Sequence, residues 1–324
     1  MEKKKLKDAV SWFLVVLVVL LLVLPYLPPS FGGALLVLGF ATLPIILGNV
    51  VAAVIRHGRW RWVHIVAVAS CLPMLMAYVP LIPPTHEQSS PTLRLVSWNV
   101  GNFMVSCDTM HQAARHINHL SPDIICFQER PHESKVSWND IREAFPCHPH
   151  AVRNSREDEV LNLAILSSHP IVGSGERQFE GTYNRYLWAD VQVGSDTVRV
   201  FNVHLQTTGM TSPFSWADVP AVLANATERD RQASLLCDDV DDSPHPTLLC
   251  GDFNDTPNGY PARRLRNELT DFSCRWPLSG TFHGMGGLLK IDYMMCDQGI
   301  QPLNYHLTDT PWSDHKLQVG EVSL

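Results

Sequence analysis

The sequence predicts an α/β sandwich that follows a group of membrane-spanning helices at the N-terminus. Two observations lead to this fold class. No charged residue occurs from Ala9 to Ile55, a length well beyond the roughly 20 apolar residues that one helix needs to cross a bilayer. After residue 92, β-like runs alternate with helix-like stretches, and this alternation is typical of sheets that are covered by helices.

The apolar N-terminal part divides into three predicted spans. A Pro- and Gly-rich stretch at 25–33 separates the first two spans, and the segment Arg56–Arg61 precedes the third. We predict transmembrane helices at about 9–27, 33–55 and 62–82, within a membrane anchor over 1–84. A linker at 85–92 and a catalytic domain over 93–324 complete the predicted organisation.

Basic residues indicate how these spans are oriented. Lysines at 3–7 precede the first span, Arg56–Arg61 lies between the second and third, and the first hairpin loop has no basic residue. Because basic segments stay in the cytoplasm, three crossings place the catalytic domain outside it. We therefore expect a multi-pass protein of the cell membrane with an extracytoplasmic domain. A cleaved signal peptide is the alternative for the first span, although no small-residue cleavage site follows it.

The part of the chain after residue 92 has the pattern of an α/β domain. Strand-like runs lie at Leu93–Asn99, Ile124–Gln128, Leu161–Leu166, Leu187–Val193, Val198–Leu205, Thr247–Cys250 and Leu289–Met295. Helix-like stretches lie at His111–Leu120, Val136–Phe145, Ala226–Asp238 and Ala262–Leu269. This part has neither a dinucleotide-binding glycine fingerprint nor a phosphate-binding loop, so we expect no nucleotide cofactor. The formal net charge of −7 argues against non-specific binding of long nucleic acid.

Polar residues end or interrupt five of the strand-like runs. They are Asn99, Glu129, His204, Asp252 with Asn254, and Asp292, and an Asp314-His315 pair follows near the C-terminus. One polar strand end is ordinary, because strands meet solvent there and Asp and Asn favour turns. The recurrence favours a common site. Carboxylates suit Mg²⁺ or Mn²⁺, and histidines with a carboxylate can activate water and stabilise charge during phosphoester hydrolysis.

The order and spacing of these motifs resemble the endonuclease/exonuclease/phosphatase superfamily. The matching segments are Ser97-Trp-Asn-Val100, Gln128-Glu129, Asn202-Val-His204, Gly251-Asp-Phe-Asn254, Ile291-Asp-Tyr293 and Ser313-Asp-His315. The resemblance covers Leu93 to Leu324 and implies a four-layer sandwich of two mixed sheets flanked by helices. The signature of the inositol phosphatases is absent at Lys290–Tyr293, which makes that substrate class less expected.

The resemblance also implies catalytic roles for individual residues. Asp252 would orient or activate water, and Asn254 and His204 would contact the phosphate. Asp292 would brace His315, which would face the phosphate as an imidazolium.

Further roles concern the metal and a second phosphate contact. Glu129, Asn99 and Asp314 are implied to organise a Mg²⁺ (or Mn²⁺) site. Arg185 lies where relatives often place a phosphate-contacting group, with a plain surface arginine as an equally weighted alternative.

The predicted function is a membrane-tethered, divalent-metal-dependent phosphodiesterase. Its partners would be the lipid bilayer and a phosphoester substrate, which is a nucleic acid, a nucleotide or a phospholipid headgroup. We infer no obligate protein partner. The alternative is a catalytically silent, membrane-anchored binding module of the same fold. The convergent polar set argues against this alternative, because a silent module has no chemical need for it.

Overall fold

A computed structural model of the chain describes residues 2–23, 26, 39–76, 92–101, 106–157, 161–210, 215–273, 280–287 and 289–324. Its strands are β1 (Thr92–Asn99), β2 (Ile124–Arg130), β3 (His150–Arg153), β4 (Asn162–Ser167), β5 (Ile171–Gln178), β6 (Arg185–Val193), β7 (Asp196–His204), β8 (Thr247–Asp252), β9 (Leu269–Asp271), β10 (Asp292–Asp297), β11 (Gln301–Thr308) and β12 (Leu317–Ser323). The α-helices are α1 (Glu2–Val23), α2 (Thr42–Ile55), α3 (Arg59–Ser70), α4 (Leu72–Met76), α5 (Cys107–His119), α6 (Trp138–Ala144), α7 (Val219–Asp241) and α8 (Tyr260–Leu265). Short 3-10 helices lie at Trp216–Asp218 and Gly284–Gly287.

The strands form two six-stranded sheets, in the orders β11-β12-β1-β2-β4-β3 and β5-β6-β7-β8-β10-β9. Both sheets are mixed. In the first, β1 runs parallel to β2 and antiparallel to β12. In the second, β7 runs parallel to β8 and antiparallel to β6. Each parallel pair needs a crossover connection, and α5 and α7 lie in these two connections.

Alternating side chains along the strands explain the layered packing. On β1, Leu93 and Leu95 belong to the core between the sheets, whereas Val96 and Trp98 pack with the helices on the outer face. The outer face of the second sheet forms a third core with α7 and α8. The predicted four-layer sandwich of two mixed sheets flanked by helices is therefore confirmed.

The helix α5 shows how local sequence sets an outer layer. Ser106 caps its N-terminus by accepting a hydrogen bond from the Thr109 backbone N–H. Its buried residues are Met110, Ala113, Ala114 and Ile117. This spacing places them on one helical face, and they pack against the first sheet.

The N-terminal helices pack against one another in a separate cluster. Val18 and Leu21 of α1 contact a set formed by Ile45, Ile46, Ala67 and Cys71. An ion pair between Asp8 and Arg56 joins the start of α1 to the end of α2. The basic N-terminus and the basic segment before α3 therefore lie at the same end of this bundle.

The described residues include one helix that is long and apolar enough to cross a membrane. This is α1, with 22 residues and a mean hydropathy of 2.4 over its best window, properties that a membrane span and a signal sequence share. The helices in the second and third predicted spans are shorter, with 14 residues in α2 and 12 in α3. Residues 33–38 and 77–82 of these spans, and most of the predicted linker, lie outside the described residues. The domain boundaries stay predictions.

Candidate active site

The register of the second sheet places four of the predicted residues in one row. Arg185 lies opposite His204, His204 beside Asp252, and Asp252 opposite Asp292. Directly opposed residues point to the same face of a sheet. This face is the one that meets the first sheet, since neighbouring residues such as Leu187 belong to the core between the sheets.

The first sheet contributes Asn99 and Glu129. Asn99 is the last residue of β1, and Glu129 lies where the pairing of β2 with β4 is interrupted between Phe127 and Arg130. Glu129 has a φ of 52°, an uncommon value for a residue with a side chain. Such irregularities re-aim side chains beside active sites. Here the Asn99 amide donates to Glu129 Oε1 and to Asp252 Oδ2, each at 3.0 Å, and links the two sheets.

A layer of buried polar side chains, which we call the amide layer, lies beneath this site. It consists of Ser97, Gln128 and Asn202, all with 0% exposure. Gln128 Nε2 donates to Asn202 Oδ1 at 2.7 Å and to Ser97 Oγ at 3.2 Å. Asn202 Nδ2 donates to the carbonyls of Phe127 and Ala164, each at 2.9 Å. The amide layer separates the apolar core from the reactive groups and fixes the strands that carry them.

The turn after β8 holds Asp252 in place. Asp252 Oδ1 accepts a hydrogen bond from the Asn254 backbone N–H at 2.7 Å, and Asn254 Nδ2 donates to the Leu205 carbonyl at 3.1 Å. Gly251 has a φ of 140°, which is a region that essentially only glycine adopts. A Cβ at this position would lie 2.0 Å from the Val203 carbonyl oxygen. The sequence Gly-Asp-Phe-Asn is therefore required by the backbone as well as by the chemistry.

His204 is held between an amide and a carboxylate. Its Nδ1 lies 3.1 Å from Asn184 Oδ1, and its Nε2 lies 3.2 Å from Glu129 Oε1 and 3.8 Å from Asp252 Oδ2. Burial would lower the pKa of His204, but the hydrogen bond to Glu129 and the charges of Asp252 and Glu129 raise it. His204 therefore favours the charged form, which can contact an anionic phosphate.

His315 has a comparable environment on the other side of Asp252. Its Nδ1 lies 3.0 Å from Asp292 Oδ2, and its Nε2 lies 3.7 Å from Asp252 Oδ2. Burial would lower its pKa, yet Asp292 and Asp252 together raise the pKa to about 10. Ser313 orients the backbone, because its hydroxyl donates to the Asn99 carbonyl and accepts from the His315 N–H.

Two carboxyl groups of the site, those of Asp252 and Glu129, have opposite pKa shifts. Burial and the neighbouring Asp292 raise the pKa of Asp252 to about 6, against the opposing charges of His315 and His204. Burial would also raise the pKa of Glu129, but hydrogen bonds and charges from His204 and Asn99 lower it to about 2. Groups whose pKa values are pushed apart in this way suit different roles. Glu129 fits a permanent anion, and Asp252 fits a base near neutral pH.

The donor set fits a divalent cation. The ligand atoms of Glu129, His204 and Asp252 lie within 4.8 Å of one another, and so do those of Asp252, Asp292 and His315. Mg²⁺ and Mn²⁺ prefer oxygen ligands, which favours Glu129 as the ligand. Its side chain is 28% exposed while Asp252 is almost completely buried. Glu129 is thus the carboxylate that an ion arriving from solvent meets.

Two predicted residues lie at the margin of the site. Asp314 is exposed, and its Oδ1 would be 3.6 Å from a Cβ added to Gly101. Arg185 is 1% exposed, so the alternative of a surface arginine is wrong. Its guanidinium donates to the carbonyls of Tyr183 and Arg156. A metal role for Asp314 and a phosphate role for Arg185 stay predictions.

Sequence reasoning missed Asn184 and the role of the amide layer. Asn184 directly precedes β6, and its Oδ1 lies 3.1 Å from His204 Nδ1. This contact orients the His204 ring. The signal of Asn184 in the sequence is the one that identified the other residues, a polar side chain at the end of a strand. Ser97, Gln128 and Asn202 occur in the matched motifs, but the role of the amide layer was missed because its hydrogen bonds join strands of both sheets.

Comparison with known proteins agrees with this geometry. The model of the endonuclease/exonuclease/phosphatase family matches residues 96–315, which include the whole second sheet and the whole row of site residues. The chain belongs to this family. Members of the endonuclease/exonuclease/phosphatase family are in general hydrolases of phosphoesters and commonly use divalent metals, and the fold of this chain fits that chemistry.

Solved structures show the same fold. The chain is similar to an endonuclease/exonuclease/phosphatase from Beutenbergia cavernae DSM 12333, with 20% identity, 72% of each chain covered and a TM-score of 0.57. An endonuclease/exonuclease/phosphatase from Bacteroides vulgatus has 15% identity over 72% of this chain and 99% of its own, with a TM-score of 0.56. Truncated TDP2 from Caenorhabditis elegans has 14% identity over 72% and 98%, with a TM-score of 0.56. Comparison with curated proteins found no match.

Proposed function

We propose that the protein is a membrane-tethered, divalent-metal-dependent phosphodiesterase. The observation that supports this most directly is the environment of Asp252 Oδ2. This single oxygen lies 3.0 Å from the Asn99 amide, 3.8 Å from His204 Nε2 and 3.7 Å from His315 Nε2. A carboxylate between two cationic imidazoles can hold a water molecule and receive its proton while the imidazoles face anionic oxygens.

The proposed reaction adds water across a phosphoester bond. The water oxygen forms a new bond to phosphorus, the bond from phosphorus to the leaving oxygen breaks, and one proton of the water ends on the leaving alcohol. Asp252 orients the water and accepts its proton, and His204 and His315 stabilise the negative charge on the phosphoryl oxygens. Mg²⁺ or Mn²⁺, held by Glu129 with Asn99 and Asp314 as the further candidates, would supply additional positive charge when bound.

The first experiment measures hydrolysis of bis-p-nitrophenyl phosphate by the purified full chain with Mg²⁺, with Mn²⁺ and with a chelator. We expect Asp252→Asn and His315→Ala each to lower the rate by about 10²-fold or more, the usual effect of removing a transition-state contact. Asp196→Asn is the matched control, because Asp196 begins β7 at the end away from His204. Equal rates for all four proteins would contradict the enzyme and favour the silent module.

The proposal includes a multi-pass anchor with the catalytic domain outside the cytoplasm. Two observations support it. Among the described residues, the large apolar side chains that are exposed lie between Leu6 and Leu72, apart from Val172, Tyr183 and Trp216. Such a concentration of exposed apolar side chains is typical of a surface that contacts a membrane or another protein. The Asp8–Arg56 ion pair also groups the basic segments at one end of the bundle, as expected for the cytoplasmic side.

A further inference from the structure

The catalytic domain contacts the end of the bundle that is opposite to its basic end. A Cβ added to Gly39, which lies in a helical turn just before α2, would be 2.9 Å from Thr256 Oγ1. A side chain at position 39 would require Thr256 to shift. Residues 39–55 span about 25 Å at the helical rise of about 1.5 Å per residue. Because Arg56 marks the basic end, Gly39 lies near the opposite edge of a hydrocarbon core about 30 Å thick.

This contact sets the height of the active site above the bilayer. Thr256 follows the phosphate-binding candidate Asn254 by two positions, which limits the separation of their Cα atoms to about 7 Å. The polar headgroup layer adds roughly 5–8 Å on each side of the hydrocarbon core. The Cα atom of Asn254 therefore lies within about 7 Å of the residue that contacts the helical bundle, a distance comparable to the thickness of the headgroup layer.

A cationic side chain lies near both the N-terminal bundle and the turn that follows β8. Arg263 of α8 is half-buried, and its guanidinium forms no hydrogen bond and no ion pair within 4 Å to any described residue. It interacts electrostatically with Tyr26, which follows α1 at the same end of the bundle, and with Asp230 and Asp255. An arginine placed between a membrane anchor and a phosphoesterase site suits an anionic headgroup oxygen.

We infer that the substrate is the headgroup phosphoester of a phospholipid in the same bilayer that holds the anchor, with Arg263 contacting the headgroup. This inference rests on the proposed function, since it names the substrate of the same site. Hydrolysis follows the balance given above, with the lipid phosphoester as the bond that is cleaved. Nucleic acid is disfavoured, because the chain has a net charge of −7.

The test compares substrates that differ in where they are presented. The full chain is reconstituted into vesicles of phosphatidylcholine and phosphatidylglycerol with labelled headgroups. Hydrolysis is measured for lipid in the same vesicles, for the same lipid in separate vesicles, for a short-chain soluble analogue, for DNA and for bis-p-nitrophenyl phosphate. We expect lipid in the same bilayer to be hydrolysed at least about tenfold faster than lipid in separate vesicles, because the anchor raises its effective concentration.

Variants distinguish the contacts that bring the lipid to the site from the hydrolysis reaction itself. Gly39→Leu keeps the anchor but disturbs the contact with Thr256, so it should lower the hydrolysis of same-bilayer lipid while hydrolysis of bis-p-nitrophenyl phosphate is unchanged. Arg263→Ala should lower the ratio of lipid hydrolysis to bis-p-nitrophenyl phosphate hydrolysis by about tenfold. Arg264→Ala is the matched control, because Arg264 is on the same helix but pairs with Asp241 and Glu268. It should change neither rate.

The outcomes distinguish the two proposals. If bis-p-nitrophenyl phosphate is hydrolysed in an Asp252-dependent manner but DNA is cleaved and lipid is not, the lipid inference is overturned and the phosphodiesterase stands. Equal rates for lipid in the same and in separate vesicles overturn it too. If no phosphoester is hydrolysed by the wild type, the proposed function fails and the lipid inference fails with it.

Discussion

At the scale of single residues, Asp292 controls the charge of His315. The two side chains are in contact at 3.0 Å, and both are more than nine-tenths buried. An isolated histidine in such a place would lose its proton, because burial disfavours the charged form. The carboxylates of Asp292 and Asp252 reverse this and raise the pKa of His315 to about 10. The protein thereby keeps an imidazolium beside Asp252 throughout the neutral range.

Replacing the Asp292 carboxylate should lower the pKa of His315. Asp292→Asn retains an oxygen that accepts from His315 Nδ1 but removes the charge, so the pKa of His315 should fall. If the protonated ring is the active form, the variant keeps activity at low pH and loses it as the pH rises. The activity of the variant should therefore fall at a pH well below the pH at which wild-type activity falls. In the wild type this alkaline fall reflects the His315 pKa of about 10.

The measurement is kcat/KM for bis-p-nitrophenyl phosphate against pH. Asp297→Asn, at the far end of the same strand β10, serves as the control and should follow the wild-type profile. Superimposed alkaline limbs for wild type and Asp292→Asn would show that His315 does not act as a cation.

Residues that do chemistry were easier to predict than those that support them. Asp252, Asn254 and His315 occur in short motifs whose order is diagnostic, and the structure places them together as predicted. Asn184 supports His204 from the position just before β6, so only the register of β6 with β7 reveals the contact. Burial of Arg185 was also hidden, because the charge of an arginine favours a surface position in any sequence-based argument.

At the scale of elements, the start of the turn after β8 determines whether the site can form. Gly251 pairs with Val203 of β7 and has a φ of 140°. The close parallel approach of β7 and β8 leaves no room for a Cβ. The same step along the two strands brings His204 beside Asp252. One glycine therefore permits both the strand pairing and the alignment of two catalytic side chains.

We predict that Gly251→Ala destabilises the fold by more than about 3 kcal/mol, because backbone strain and a steric clash add. Gly194→Ala separates these causes. Gly194 lies between β6 and β7 with a φ of 62°, and a Cβ there would meet no atom within 4 Å. Gly194→Ala should lower the free energy of unfolding by only about 1–2 kcal/mol. Thermal unfolding of the detergent-solubilised variants measures both, and similar losses would show that the clash is relieved by a small backbone shift.

The strands were predicted from apolar runs in the sequence, and this determines which of them could be found. All seven strands expected from apolar runs are present, with ends that differ by a few residues. The strands β3, β5, β9, β11 and β12 were not predicted. The edge strand β5 contains Gly173 and Gly175 and is mostly half-exposed, so it lacks the apolar run that marks a buried strand. Helix α7 begins at Val219, seven residues before the predicted Ala226, because Pro220 is tolerated in a first helical turn.

At the scale of the whole molecule, the position of the catalytic domain relative to the anchor is the central feature. The basic segments gather at one end of the helical bundle, and the contact between Gly39 and Thr256 lies at the other. From the distribution of charge, the sequence predicts that the catalytic domain lies on the side of the membrane opposite to the basic segments, and this topology stays a prediction. The sequence could not predict the contact, because the glycine that permits it is remote from every catalytic motif.

This arrangement gives a prediction for labelling in intact cells. In a background with Cys107→Ser and Cys274→Ser, the exposed thiol of Cys147 should react with a membrane-impermeant maleimide without permeabilisation. Cys147→Ser should abolish the labelling. A thiol introduced as Lys4→Cys into that variant should react only after permeabilisation, since Lys4 lies at the basic end. If the thiol at position 4 is labelled in intact cells and Cys147 is not, the topology is the reverse of the proposed one.

The amide layer beneath the site also acts on assembly. Ser97 and Gln128 come from one sheet and Asn202 from the other, and each is sealed from water. If the sheets docked one residue out of step, these groups would face aliphatic side chains, at a cost of about 1–3 kcal/mol for each unpaired donor or acceptor. The layer therefore favours correct docking of the two sheets during folding. A chain whose sheets associate incorrectly is penalised before its active site exists, and only the arrangement that aligns the catalytic groups is retained.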